Sequence, residues 1–229
     1  MSALNNVKNN NIKAHKLVKQ IVLLKSNKHY RFGDVVFKKG HYWKKSRNYI
    51  VSNSELRNTI LYKYLNSLPK NSWNTNESMS TISTMLKQVV AKHILLNNNI
   101  PLPSPNELVI HLRTGDWAYK PNFLTYNYVA LIKKYIIMHG ITKCTFCTAF
   151  HYGDYEEKKL WMFNEEIHNK NIQKLKELFI NVLQNCNVKI DVYSNRDPDL
   201  DFIYMLKARH FVGRDGGFAN IINLLRRSR

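Results

Sequence analysis

The segment Glu107-Leu-Val-Ile-His-Leu-Arg-Thr-Gly-Asp-Trp117 runs a short apolar stretch straight into His111, Arg113 and Asp116. In an extended chain, residues two apart share a face, so His111 and Arg113 point the same way. A guanidinium presents a planar fork that grips a phosphate through two parallel hydrogen bonds, which an ammonium cannot reproduce. His111 or Asp116 at the rim is a candidate base for a hydroxyl proton, with Asp154 a more distant one. The same residues also admit a plainer reading, in which Arg113 pairs with Asp116 to brace the turn and His111 makes a structural hydrogen bond.

A second group lies near the end of the chain. Gly216-Gly217-Phe218-Ala219 opens a helix, where free N–H groups and missing side chains let a phosphate approach the backbone. A tight strand-to-helix turn with no ligand is the alternative. Asp197-Pro198-Asp199-Leu200-Asp201 contains an Asp-x-Asp, a spacing that can hold a divalent metal. It reads better as a helix start, with Asp197 as cap, Pro198 at the first helical position and acids in the first turn. An acid such as Asp201 can still hold a sugar or ribose hydroxyl, and no metal ligands are assigned. Cys144-Thr-Phe-Cys147 sits in a β-favouring run that turns its two thiols to opposite faces, and only Cys186 follows. Buried or half-buried free thiols are expected rather than a redox or zinc pair.

The elements that position these groups are legible in the second half. Strands are expected at 107–113, 143–151, 188–194 and 209–214. Helices are expected at 125–139, 155–185, 198–208 and 216–228, the first closed by Gly140. Strands alternating with helices imply right-handed crossovers and an α/β, Rossmann-like parallel sheet over residues 106–229. Ligands bind such sheets outside the carboxyl ends of the strands. There the chain carries His111, Arg113 and Asp116, then His151 and Asp154, then Ser194 to Arg196, then Arg214 to Gly217. Residues 1–105 read as a mainly helical subdomain, a possible acceptor side. Helical spacing is clearest at 54–68 and 78–96, and a hairpin or short strand is expected at 29–45.

The chain has 229 residues, 44% of them hydrophobic, enough for a core. Its formal net charge of +19 favours anionic partners such as nucleic acid, phosphorylated small molecules or an acidic membrane surface. An Asn-, Lys- and Ile-rich composition is also what an AT-rich coding genome produces, which weakens the functional reading of that charge. A basic nucleic-acid-binding protein is the competing class, although no RNA-binding motif is present. No apolar run approaches the roughly 20 residues that span a bilayer, and the start lacks the pattern of a signal peptide, so a cytoplasmic location is expected.

His111-Leu-Arg113-Thr-Gly115-Asp116 resembles the His-x-Arg-x-Gly-Asp segment of the fucosyltransferase superfamily that includes α1,2-, α1,6- and protein O-fucosyltransferases. The tail from Asp199 to Arg227 is similar to that group's C-terminal segment, except that Gly217 and Ala219 stand where hydroxyl residues are usual. The pattern also resembles glycosyltransferases of large DNA viruses, for which the location would be the host cytoplasm. The resemblance implies a GT-B-like donor domain and a nucleotide-sugar donor, GDP-fucose in that group, as substrate with no cofactor. It implies that Arg113 contacts the diphosphate and that Asp201 and Gly216 to Ala219 line the donor pocket. The acceptor would be a glycan or another hydroxyl, and transfer would be inverting and metal-independent.

Overall fold

The computed structural model describes residues 2–23, 84, 87, 88, 91, 100–115, 127–152, 163–194, 198–213 and 217–227. In chain order these residues form α1 (Ser2–Lys19), β1 (Glu107–His111), β2 (Thr114–Gly115), α2 (Tyr128–His139), β3 (Lys143–Cys147) and β4 (Phe150–His151). They continue with α3 (Glu165–Asn185), β5 (Lys189–Tyr193), α4 (Pro198–Lys207), β6 (His210–Gly213) and α5 (Gly217–Arg227). Four strands make one parallel sheet in the order β5-β3-β1-β6, and β2 pairs with β4 beside it. The chain is therefore α/β, as the alternation of elements predicts. By contacts it divides into two compact units. One is Met1–Asn27, Pro103–Arg196 and Lys207–Val212; the other is Lys28–Leu102, Asp197–Leu206 and Gly213–Arg229.

In the first unit, Leu108, Val109 and Ile110 of β1 are fully buried, so both faces of the strand are covered, as is usual in a parallel sheet. One face (Leu108, Ile110, Cys144, Phe146 and Ile190) shares a core with Leu17 and Val18 of α1, Tyr128 and Ile132 of α2, and Leu175 and Phe179 of α3. Phe146 meets Phe179 edge to face, ring centres 5.2 Å apart. The amino end of the sheet is tied by charge. Buried Glu107 takes Lys143 at 3.1 Å and the Ser104 N–H at 3.1 Å, while Lys143 also reaches Asp191 at 3.2 Å.

Local signals set the helix ends. Asn127 caps α2 by accepting the Ala130 N–H, and Gly140 closes it in the left-handed region at φ +61°, its N–H donated to the Ile136 carbonyl. Helix α3 begins later than periodicity suggests. Asn164, extended, accepts the N–H groups of Glu166 and Ile167, so Phe163 and Asn164 are not helical. The cap sets the first turn of α3 at Glu165, and the expected helical span 155–162 lies outside the described residues. The loop expected around Asp154 lies outside the described residues.

The amino-terminal segment belongs to the first unit. Past α1, the Val22 carbonyl accepts the Phe150 N–H at 2.9 Å, Leu23 bridges Phe150, and the Val22 N–H goes to Ser194 Oγ at 2.9 Å. Ser194, expected at a ligand rim, is thus engaged in holding the chain's beginning. Of the expected helix at 78–96, residues 84, 87, 88 and 91 are helical, whereas the expected elements at 29–45 and 54–68 lie outside the described residues.

In the second unit, six consecutive residues of α4, Asp201 to Leu206, are buried, so this helix has no solvent face there. Arg226 of α5 donates to the Leu206 carbonyl at 3.2 Å, satisfying an open carbonyl in the last turn of α4. Arg226 is half-buried. Asn223 donates to the Gly213 carbonyl at 2.7 Å and fixes the end of β6.

Candidate functional site

The chain leaves β1 at His111, and Leu112 stays in line with its neighbour by donating its N–H to the Cys147 carbonyl at 3.0 Å. His111, Cys147 and Tyr193 are aligned partners across β1, β3 and β5, so they form one row at the carboxyl edge of the sheet. Arg113 follows, half-buried. Burial first, and the Arg113 cation second, hold the His111 pKa down to about 4. The imidazole is therefore neutral at physiological pH. It is a hydrogen-bonding group there and a weak base.

Two residues later the backbone needs a glycine. Gly115 sits at φ +87°, which side chains with a Cβ disfavour. The turn around it is braced on two sides. Thr114 Oγ1 donates to the Ala149 carbonyl at 2.7 Å, so the Thr148 hydroxyl is the donor in the 3.1 Å contact between the two threonines. From α3, Asn171 Nδ2 donates to the Gly115 carbonyl at 3.3 Å. Asn171 also donates to Tyr152 Oη at 3.0 Å, and Tyr152 Oη lies 2.9 Å from His168 Nδ1. Burial lowers the His168 pKa, against an opposing pull from Glu165.

Of the residues singled out by sequence, His111, Arg113 and Gly115 come together at the end of β1. Asp201 is buried in α4, and Gly217 and Ala219 open α5 with Ala219 fully buried; these belong to the second unit. Asp116, Gly216 and the Phe218 side chain lie outside the described residues, so the Arg113–Asp116 brace does too. Sequence reasoning missed Asn171, Tyr152 and His168. A signal existed: Asn171 occupies the buried stripe that continues through Leu175, Phe179 and Val182 of α3. A polar residue on such a stripe needs partners.

All three cysteines are free and buried, as their placement predicts. Burial raises the Cys144 thiol well above its ordinary pKa, and raises Cys186 against the influence of Lys133. Among the described residues, no three His, Cys, Asp or Glu side chains gather in a group that could hold a metal ion. Nor is any helix among them long and apolar enough to cross a membrane.

The sheet order also has meaning for a ligand. From β1 the chain adds β3 and then β5 on one side, then crosses to place β6 on the other side of β1. That reversal is the switch point where open α/β sheets bind ligands, and His111 ends the strand that flanks it. Comparison with protein-family models, curated proteins and solved structures found no match for this chain.

Proposed function

We propose that this chain is a glycosyltransferase, moving a sugar from a nucleoside diphosphate to a hydroxyl acceptor by a single inverting displacement without metal. The observation that carries the reading is the position of the His111–Gly115 segment. It runs from the carboxyl end of β1, beside the switch point of the sheet, and turns on a glycine at positive φ. The resemblance to fucosyltransferases makes GDP-fucose the donor to test first.

In this reading Arg113 neutralises the charge that grows on the leaving diphosphate. Such fixed donors cost little reorganisation during transfer. A neutral His111 serves to orient donor or acceptor by hydrogen bonding. With a pKa of about 4 it is no stronger a base than an ordinary carboxylate, so its pKa does not choose between His111 and Asp116 as the base.

A second reading, a basic nucleic-acid binder, is favoured by α1. Its lysines 8, 13, 16 and 19 are all exposed and the helix contains no acid. Thermal-shift titration with GDP, UDP, CMP and ADP, with and without magnesium, on wild type and Arg113→Ala separates the two. Stabilisation by GDP without metal, absent in the variant, supports the transferase. Stabilisation by UDP keeps the reaction and changes the donor. No response to any nucleotide, together with RNA binding that falls steeply with salt and ignores Arg113→Ala, favours the binder.

A further inference from the structure

The amide of Asn171 has two hydrogens and three acceptors within reach. These are the Gly115 carbonyl at 3.3 Å, Tyr152 Oη at 3.0 Å and the Ile167 carbonyl at 3.2 Å. Its own oxygen, Oδ1, is buried and makes no hydrogen bond. Asn171 and Tyr152 are both fully buried, so neither water nor a change of exposure relieves the arrangement cheaply. Tyr152 Oη receives the Asn171 donor and has a single proton of its own, which goes to His168 Nδ1. The order of donors is fixed only while His168 is neutral with Nδ1 bare.

We infer that Asn171 is a positioning residue for the Arg113–Gly115 segment, and that His168, through Tyr152, sets which way its amide points. Protonated His168 must donate from Nδ1 to Tyr152 Oη. The tyrosine proton then turns away from His168, and the unused Asn171 Oδ1 accepts it when the amide turns over. In that arrangement an oxygen, not an N–H, faces the Gly115 carbonyl, and the segment loses its brace from α3. Three rings surround His168: Phe150, Tyr152 and Phe163 at 4.7, 5.6 and 5.7 Å between centres. Among the described residues the charge that acts on it is Glu165, one turn earlier on its own helix. Burial outweighs that carboxylate and keeps the neutral form dominant at pH 7, so the relay responds as pH falls below the ordinary value of 6.5.

The consequence for nucleotide rests on the donor-site reading above; the relay itself does not. The test is therefore double. Hydrogen exchange of the amides of residues 112–115 is followed in the ligand-free protein from about pH 7.5 to about pH 5.5, corrected for intrinsic exchange. GDP affinity is measured over the same range. Loss of one buried hydrogen bond predicts about a tenfold fall in protection and in affinity for wild type. His168→Gln and Tyr152→Phe, which break the relay without adding charge, give flat exchange profiles and keep in their GDP affinity only the titration of the ligand's own terminal phosphate. His168 is only half-buried, so its variant is the control that stays folded. Parallel pH profiles in wild type and His168→Gln overturn the inference. If exchange follows the expected pattern and GDP binds at no pH, the relay stands and the donor reading falls. If GDP binds with the same pH profile in both proteins, the relay falls and the donor reading stands.

Discussion

Arg113 lies close enough to His111 for its charge to reinforce burial in holding the imidazole near pKa 4. A group whose pKa is depressed in the folded state takes up its proton on unfolding. Its contribution to stability is complete above pH 6.5 and is lost as pH falls through about 4. The size is at most about 3 kcal/mol. A pH series of denaturant melts on wild type and His111→Asn should converge toward pH 4, and parallel curves would contradict the assignment. A diphosphate beside the ring would raise its pKa, so the His111 proton resonance should titrate higher with GDP bound.

Arg113→Ala is expected to weaken nucleoside diphosphate binding by roughly 10- to 100-fold, the range for losing charge-assisted hydrogen bonds. Arg113→Lys should recover part of the charge and little of the two-pronged geometry. Calorimetry on the three proteins checks the order wild type, Lys, Ala. Equal affinity in all three would remove the diphosphate from this segment.

Phe179 is fully buried and packs edge to face on Phe146 between sheet and helix. Phe179→Ala should cost about 3–5 kcal/mol in chemical denaturation, and Phe179→Leu considerably less. A small effect of the alanine variant would place this residue outside the core.

The three thiols should not react with a thiol reagent while the protein is folded, because all are buried and burial raises Cys144 and Cys186 away from the thiolate. Labelling kinetics that track global unfolding are expected. Rapid modification of the native protein would mean that the sheet opens locally.

At Gly140 a Cβ would meet nothing within 4 Å, so any cost of Gly140→Ala is conformational. With φ at +61°, that cost should be about 1 kcal/mol, visible as a lowered melting temperature with an unchanged spectrum.

The elements of the sheet half were legible because their signals are local. Short β-favouring runs mark β1, β3 and β5, namely Leu-Val-Ile at 108–110, Cys-Thr-Phe-Cys at 144–147 and Ile-Asp-Val-Tyr at 190–193, and Asn127 and Gly140 bracket α2. Periodicity alone extended α3 too far, since it cannot weigh a cap such as Asn164 against the residues before it. The motif residues His111 and Arg113 were visible as types that an ordinary turn does not require. Their support was not. The Asn171–Gly115 bond joins residues 56 apart, and the Ser194 hydroxyl is satisfied by Val22 from the opposite end of the unit. Such pairings depend on how helices lie on the sheet, which no window of sequence contains.

The hydrogen bond from Val22 to Ser194 also carries a consequence in time. It links residues 172 positions apart. On the ribosome α1 emerges before α3 and β5, and its apolar stripe of Ala14, Leu17, Val18 and Ile21 finds those partners only after both have been made. Until then the nascent chain carries α1 undocked. Assembly of this unit is closed by its oldest segment, and a chain halted before Ser194 would leave that segment open to chaperones and proteases.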